Sequence, residues 1–248
     1  MRNLVVLALM MICAGCVTIE RVQFQAQIDQ KTTVRDGNPS IVSEKPTSIV
    51  IVRPASRQFQ SDARPIFVIA MHNRGSSSQD FWVQNLQVTQ SVNGKSERLK
   101  VFSFEELVQE ENFRQFLAEA SARSRAQRNY SAASQAGFVK SNSTVQTPSG
   151  ALKVQTTVFN PVAAAIAQER ADAENRRLIA ATIERGQENL AQLEADVIKD
   201  NTLLPGEWYG GQLHIQPLVS TESNVKTYTI SIQIGADRHD IQISQAKI

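Results

Sequence analysis

Short segments with a two-residue hydrophobic period lie on both sides of a long central region. Residues 226–235 show it well, because Tyr228 and Ile230 begin a regular alternation of apolar and polar side chains. Such alternation is typical of strands that bury one face, and Asn93-Gly94 supplies a two-residue turn. The pattern predicts four strands before the central region and three after it: residues 48–53, 66–71, 80–92 and 98–102, then 212–217, 226–235 and 239–244.

The central region changes to a period of about 3.6, which is typical of helices. Ser103 begins a Ser-x-x-Glu capping box at its start. Asn160 and Pro161 mark a second helix start, and the helical pattern then continues to about residue 201. Small and polar side chains fill residues 131–159. We predict two long helices joined by a loop or an exposed hairpin, with the helices packed on each other or on another chain.

The segment before the first of these strands is polar and contains Gly37, Pro39 and Pro46, which interrupt long elements. Val22 and Phe24 alternate with polar residues, as in a short strand. We predict a tether here, with at most one strand folded back.

Seven strands are the number expected of a small immunoglobulin-like domain. We therefore predict an α+β fold, in which an immunoglobulin-like antiparallel β-sandwich is interrupted by a long helical hairpin. A sandwich needs both halves to bury its core, whereas a helical pair can be inserted at a loop with little cost in closure entropy. In the alternative α+β fold, the helices cover one face of a sheet. The predicted segments are the tether at 16–46, the sandwich at 47–102 and 203–248, and the helical hairpin at 103–202.

The chain starts with Arg2 and an apolar run over residues 4–12, followed by Ala14-Gly15-Cys16. This segment resembles the signal peptide and lipobox of bacterial lipoprotein precursors, in which a lipid is attached to the cysteine thiol and the chain is cut just before it. The resemblance implies that residues 1–15 are a signal peptide and that Cys16 is the lipidated first residue of the mature chain. Two or three acyl chains anchor a protein stably in a membrane.

The same resemblance implies a location in the bacterial cell envelope. Val17 follows the cysteine where an aspartate would favour the inner membrane, so the expected location is the outer membrane, facing the periplasm. The alternative is an ordinary secretory signal with an incidental cysteine.

Net charge and cysteine content bear on the classes of partner and chemistry to expect. The formal net charge of +2 is far below the basic excess typical of nucleic-acid binders, so we expect no nucleic-acid partner. The two cysteines, Cys13 and Cys16, are respectively removed and alkylated if the resemblance holds, which leaves no disulfide and no thiol catalyst.

Catalytic patterns are absent from the sequence. Histidines occur only at His72, His214 and His239, without the short spacings of metal ligands. The chain has no Gly-x-Ser-x-Gly elbow and no glycine-rich phosphate loop. We therefore predict no catalytic residue, no metal and no cofactor, and expect that the protein is not an enzyme.

Two aromatic residues between turn signals, Trp208 and Tyr209, are the candidate ligand contacts. Alternatively, one of them closes the end of the sandwich. The predicted function is that of a lipid-anchored envelope protein with a binding or structural role, which contacts an envelope protein or another copy of itself through the helices. The alternative is a periplasmic module that binds, or a hydrolase that cuts, glycan or peptidoglycan.

Overall fold

A computed structural model describes residues 19–35, 37–56, 58–60, 63–148, 150–216 and 225–247. The predicted α+β class is confirmed, with antiparallel sheets and two long helices in these ranges. The chain divides into two compact units, one formed by the described residues up to Phe104 and from Asp196 onward, the other by Glu105–Ala195. The predicted signal peptide at 1–15 and Cys16 lie outside the described residues.

The helices are α1 (Phe104–Gln135) and α2 (Pro161–Asp196). The strands are β1 (Ile19–Gln25), β2 (Gln30–Arg35), β3 (Asn38–Glu44), β4 (Ser48–Pro54), β5 (Gln58–Gln60), β6 (Ile66–Asn73), β7 (Gln79–Phe81), β8 (Gln87–Val92), β9 (Lys95–Leu99), β10 (Phe138–Thr147), β11 (Gly150–Phe159), β12 (Asn201–Leu203), β13 (Trp208–His214), β14 (Val225–Ile234) and β15 (Asp237–Lys247).

Two larger sheets form the first unit. One has the strand order β5-β1-β15-β14-β8-β9 and the other the order β13-β6-β4-β3-β2, while β7 and β12 form a small separate pair. Both large sheets contribute side chains to one hydrophobic core, in which the rings of Phe67 and Tyr228 meet edge to face at 5.9 Å. Burial alternates along β6, since Phe67 and Ile69 are fully buried and Val68 is half-buried. The outer face of the five-stranded sheet therefore carries the intervening residues.

The tether predicted over residues 16–46 is largely strand in the part that the structure describes, and only the one strand predicted around Val22 and Phe24 matches. β1, β2 and β3 occupy most of it, and Ile41 is fully buried in the core. β1 pairs with β15 over Glu20–Gln25. β2 lies at the edge of its sheet and is exposed over most of its length, so its sequence shows little of the hydrophobic alternation that identifies a buried strand.

Several of the predicted strands have different bounds, including the fourth, which is Lys95–Leu99 rather than 98–102. The segment at 80–92 is divided, because a short 3-10 helix, Val83–Asn85, separates β7 from β8, and the amide of Val83 donates to Asp200 Oδ1 at 2.7 Å. β13 begins at Trp208 rather than at residue 212. A Cβ at Gly210 would lie 2.3 Å from the carbonyl oxygen of Ile69. Gly210 was interpreted as a turn signal, but it lies within the strand and allows β13 to approach β6 closely.

The second unit is an antiparallel pair of helices that continues into the β10–β11 hairpin. Asn160 caps α2 as predicted, because its side-chain oxygen accepts from the amides of Val162 and Ala163, each at 3.1 Å. The predicted loop or hairpin at 131–159 is a hairpin of two ten-residue strands. Among the described residues, no helix is both long and apolar enough to cross a membrane.

Several polar side chains connect α1 and α2. Asn129 donates to Asn175, Asn175 donates to the carbonyl oxygen of Ala126, and Asn189 donates to Glu111, at distances of 2.8 to 3.0 Å. The apolar side chains of α1 are only partly covered, since Leu107 is buried while Phe116 and Leu117 are exposed. The large apolar side chains of α1 therefore lie mostly outside this contact.

Candidate functional site

The two candidate ligand contacts lie on opposite faces of β13. Trp208 is half exposed on the outer face of the five-stranded sheet, where its ring stacks on that of His72 at 4.6 Å and 7°. Tyr209 packs against the core, and its hydroxyl both donates to the carbonyl oxygen of Lys199 and accepts from the Lys199 amide. The structure thus leaves Trp208 available to a ligand and commits Tyr209 to packing.

Strand register explains the position of the tryptophan. Trp208 lies opposite His72 on β6, and His72 lies opposite Ile49 on β4, so these three side chains form one row across the outer face. His72 Nε2 lies 3.2 Å from the carbonyl oxygen of Gly206 and donates to it. The imidazole is thereby fixed and supports the indole from one side.

A trough of about 410 Å³ lies beside the tryptophan. The next row across the sheet consists of Gly210, Ala70 and Ile51, and the first two have the smallest side chains available. The small row leaves a depression between the larger side chains of the neighbouring rows. We call this depression with its walls the Trp208 trough, which is lined by Arg35, Ile51, Arg53, Val68, Ala70 and Trp208.

The Trp208 trough combines an apolar floor with two arginine side chains. Ile51, Val68 and Ala70 are half-buried, Arg53 is half-buried and Arg35 is exposed. The described residues that line it include two guanidinium groups and no carboxylate. Arginine pairs with carboxylates or phosphates through two parallel hydrogen bonds. The site is therefore suited to an anion that also presents a flat or apolar surface to the indole.

A second polar cluster lies inside the first unit, where His239 of β15 connects the two sheets. His239 is fully buried, with Nε2 at 2.8 Å from the hydroxyl of Ser48 and Nδ1 at 2.9 Å from that of Ser43. The hydroxyls of Ser48 and Thr47 donate to Asp237 Oδ2, each at 2.7 Å. Sequence reasoning missed this cluster, because serines in predicted strands carry no distinctive pattern.

The hydrogen-bond donors in this cluster determine which ring nitrogen of His239 carries the proton. A serine hydroxyl has one proton, and Ser48 gives its proton to Asp237, so it accepts from Nε2–H of His239. Nδ1 then accepts from Ser43. Burial lowers the pKa of His239 to about 4, although the nearby charge of Asp237 acts to raise it. Burial opposes ionisation of Asp237, yet hydrogen bonds from Thr47 and Ser48 together keep the pKa of its carboxyl below the usual value.

The cluster contains serine, histidine and aspartate but in an order unlike that of a nucleophilic triad. A triad places histidine between the serine and the carboxylate, so that the imidazole takes the serine proton. Here Ser48 lies between His239 and Asp237 and its proton is directed at the carboxylate. The four contacts join β15 to Ser43 and Ser48 of the five-stranded sheet and to Thr47 just before β4, and the arrangement holds the two sheets together.

The three histidines do not converge. His72 lies on the outer face of the five-stranded sheet, His239 lies between the two sheets, and His214 is buried at the end of β13. Within the described ranges, no group of three or more histidine, cysteine or acidic side chains could hold a metal ion. The three histidines therefore do not form one shared site.

Comparisons with models of protein families, with curated proteins and with solved structures find no match to this chain. Its function must therefore be inferred from its own residues.

Proposed function

We propose that this chain is a lipid-anchored protein of the bacterial cell envelope that binds an acidic glycan in the Trp208 trough, with an immunoglobulin-like sandwich as scaffold. Lipid anchoring is supported by the resemblance of Ala14-Gly15-Cys16 to a lipobox, and Val17 supports the outer membrane, facing the periplasm. A binding role is supported by Trp208, which stays half exposed beside the trough.

The observation that carries this proposal is the stacked Trp208 and His72 pair beside two arginines. Sites for small molecules combine apolar and aromatic surface with a few polar groups that fix orientation. The face of a sugar ring is apolar enough to lie on an indole, and a carboxylate on the sugar reaches Arg53 or Arg35. Cell-wall glycan from which the stem peptides have been removed provides both features, because its muramic acid residues then carry a free lactyl carboxylate.

Calorimetric titration with two disaccharides tests the proposal. One is the cell-wall disaccharide of N-acetylglucosamine and N-acetylmuramic acid, and the other is N,N′-diacetylchitobiose, which lacks the carboxylate. We expect the acidic disaccharide to bind more tightly than the neutral one. Arg53→Gln should weaken its binding by about ten-fold or more, because a hydrogen bond to a charged group contributes about 1.5–3 kcal/mol.

Arg98→Gln is the matched control, because Arg98 is an exposed arginine of β9 in the other large sheet. The control variant should bind like the unaltered protein. Equal affinity for both disaccharides, or equal weakening by the two arginine variants, would contradict recognition of the carboxylate in the trough.

A further inference from the structure

The β10–β11 hairpin has two different faces. Its antiparallel register runs from Phe138 opposite Phe159 to Thr147 opposite Gly150, and residues directly opposite each other share a face. One face is mainly apolar or small and includes the pairs Val139–Val158 and Val145–Leu152, plus Ser141–Thr156 and Ser143–Val154. The other face is polar beyond the two phenylalanines, with Lys140–Thr157, Asn142–Gln155, Thr144–Lys153 and Gln146–Ala151.

Both outer edges of this hairpin carry unpaired strand backbone. In the part of the chain that the structure describes, β10 and β11 pair only with each other. A lone two-stranded hairpin is at best marginally stable in water, and three or more strands are needed for independent stability. Each ten-residue strand contains no proline and only one lysine, so the edges have few of the features that prevent strand addition.

The hairpin itself shows which strand fits these edges. β10 and β11 match over ten consecutive pairs, and neither lysine faces another charged residue, since Lys140 lies opposite Thr157 and Lys153 opposite Thr144. A β11 strand from a second copy, added to the free edge of β10 in the same register, repeats every one of these pairs. It also keeps apolar residues on one face and polar residues on the other.

The helices next to the hairpin provide additional apolar surface. Phe138 and Phe159 lie at its base with ring centroids 5.1 Å apart, and both are about half exposed. Val162 and Ile166, one turn apart at the start of α2, are also exposed. Phe113, Phe116 and Leu117 of α1 are more than half exposed. Phe138, Phe159, Val162 and Ile166 therefore form exposed apolar surface at the base of the hairpin.

We propose that copies of this chain assemble through the hairpin, with β10 of one copy paired antiparallel to β11 of the next. One copy uses the edge of its β10 and the other copy uses the edge of its β11. The first copy therefore keeps a free β11 edge and the second a free β10 edge, and each can pair with a further neighbour. Such head-to-tail contacts give a ring when the rotation closes and a filament when it does not. This assembly is independent of ligand binding in the Trp208 trough.

Single-cysteine variants test the strand pairing. In the full chain with Cys13→Ser and Cys16→Ser, one preparation carries Asn142→Cys and the other Gln155→Cys. Each is purified in detergent, and the two are mixed and oxidised gently. Asn142 and Gln155 are opposite each other in the hairpin register, so we expect a disulfide-linked dimer that contains one of each chain, in several-fold excess over either variant linked to itself.

Ser76→Cys in the same background is the control, because Ser76 is an exposed loop residue of the first unit. Its cross-linking should stay at the level of random collision. Sedimentation velocity on the unmixed background protein provides an independent measurement and should show species larger than a monomer. A monomer at all concentrations, or preferential linkage of Asn142→Cys chains to each other, would overturn the head-to-tail proposal.

Discussion

His239 links the stability of the first unit to pH. Its pKa is lowered to about 4 in the folded protein from an ordinary value of 6.5, so the unfolded chain binds a proton more readily between these values. Neutral, buried His239 therefore contributes fully to the stability of the folded protein above pH 6.5, and this contribution is lost as the pH falls toward 4. We predict that the free energy of unfolding decreases across this window because of His239, by on the order of 1 kcal/mol per pH unit at mid-window.

His239→Gln separates this effect from other titrations. Glutamine offers one donor and one acceptor group to Ser48 and Ser43 but does not ionise. Denaturant unfolding at pH 7.5 and pH 4.5 should show a smaller loss of stability in the variant than in the unaltered protein. Identical pH dependence in both proteins would mean that His239 does not titrate as the structure implies.

Tyr209 and its neighbour Trp208 should respond differently to substitution. Tyr209→Phe removes the hydroxyl that contacts the backbone of Lys199 and should lower the free energy of unfolding by about 1 kcal/mol. Affinity for the acidic disaccharide should remain unchanged, because the two side chains lie on opposite faces of β13. Chemical denaturation together with calorimetry checks both outcomes, and a large loss of affinity would contradict the assignment of Tyr209 to packing.

The sequence could have predicted this separation but not the buried cluster. Adjacent residues of a strand point to opposite faces, so Trp208 and Tyr209 could not both line one site once they were placed in a strand. The partners of His239 depend on the approach of two sheets distant in sequence. The spacing of Ser43, Ser48 and Asp237 along the chain does not indicate that they contact His239.

β13 and β6 approach so closely that Gly210 has no room for a side chain. Gly210→Ala would place a Cβ 2.3 Å from the carbonyl oxygen of Ile69, which is backbone and cannot rotate away. We predict a loss of stability of about 1–3 kcal/mol from this overpacking, with a change in the Trp208 trough because β13 must move. Thr33→Ala, at an exposed position of β2 in the same sheet, is the control, and equal stability of the two variants would contradict the close strand contact.

Strongly patterned elements could be predicted, and weakly patterned ones could not. Asn160 and Pro161 identified the start of α2 because capping and a fixed proline φ act locally. β2 has no apolar face to detect, and its strand conformation depends on pairing with β3. The apolar side chains of α1 indicated a helix correctly, but a period cannot reveal whether Phe116 and Leu117 face α2 or solvent.

The whole molecule is proposed to be anchored through Cys16, and this anchor can be tested apart from ligand binding. Cells expressing the chain and grown with radioactive palmitate should incorporate label into the protein. Cys16→Ser should abolish the label and leave a precursor that retains residues 1–15, whereas Cys13→Ser should still be labelled, because Cys13 lies within the segment that is removed. Equal labelling of the Cys16→Ser variant would contradict the proposed lipoprotein.

For the molecule as a whole, the sequence indicated Trp208 as a ligand contact but not the trough that surrounds it. The trough depends on Gly210 and Ala70 becoming neighbours in one row and on Arg35 and Arg53 reaching the same depression from β2 and β4. These residues are separated by long stretches of chain. Only the order and register of five strands bring them together.

Fluorescence of Trp208 tests the account most directly, because the probe is part of the proposed site. The chain has two tryptophans, and Trp82 is also partly exposed, so the measurement uses Trp82→Phe protein. The account predicts saturable quenching by the acidic cell-wall disaccharide, little response to N,N′-diacetylchitobiose, and loss of the response in the added Arg53→Gln variant. An unchanged emission spectrum, or the same change with the neutral sugar, would contradict the proposed function.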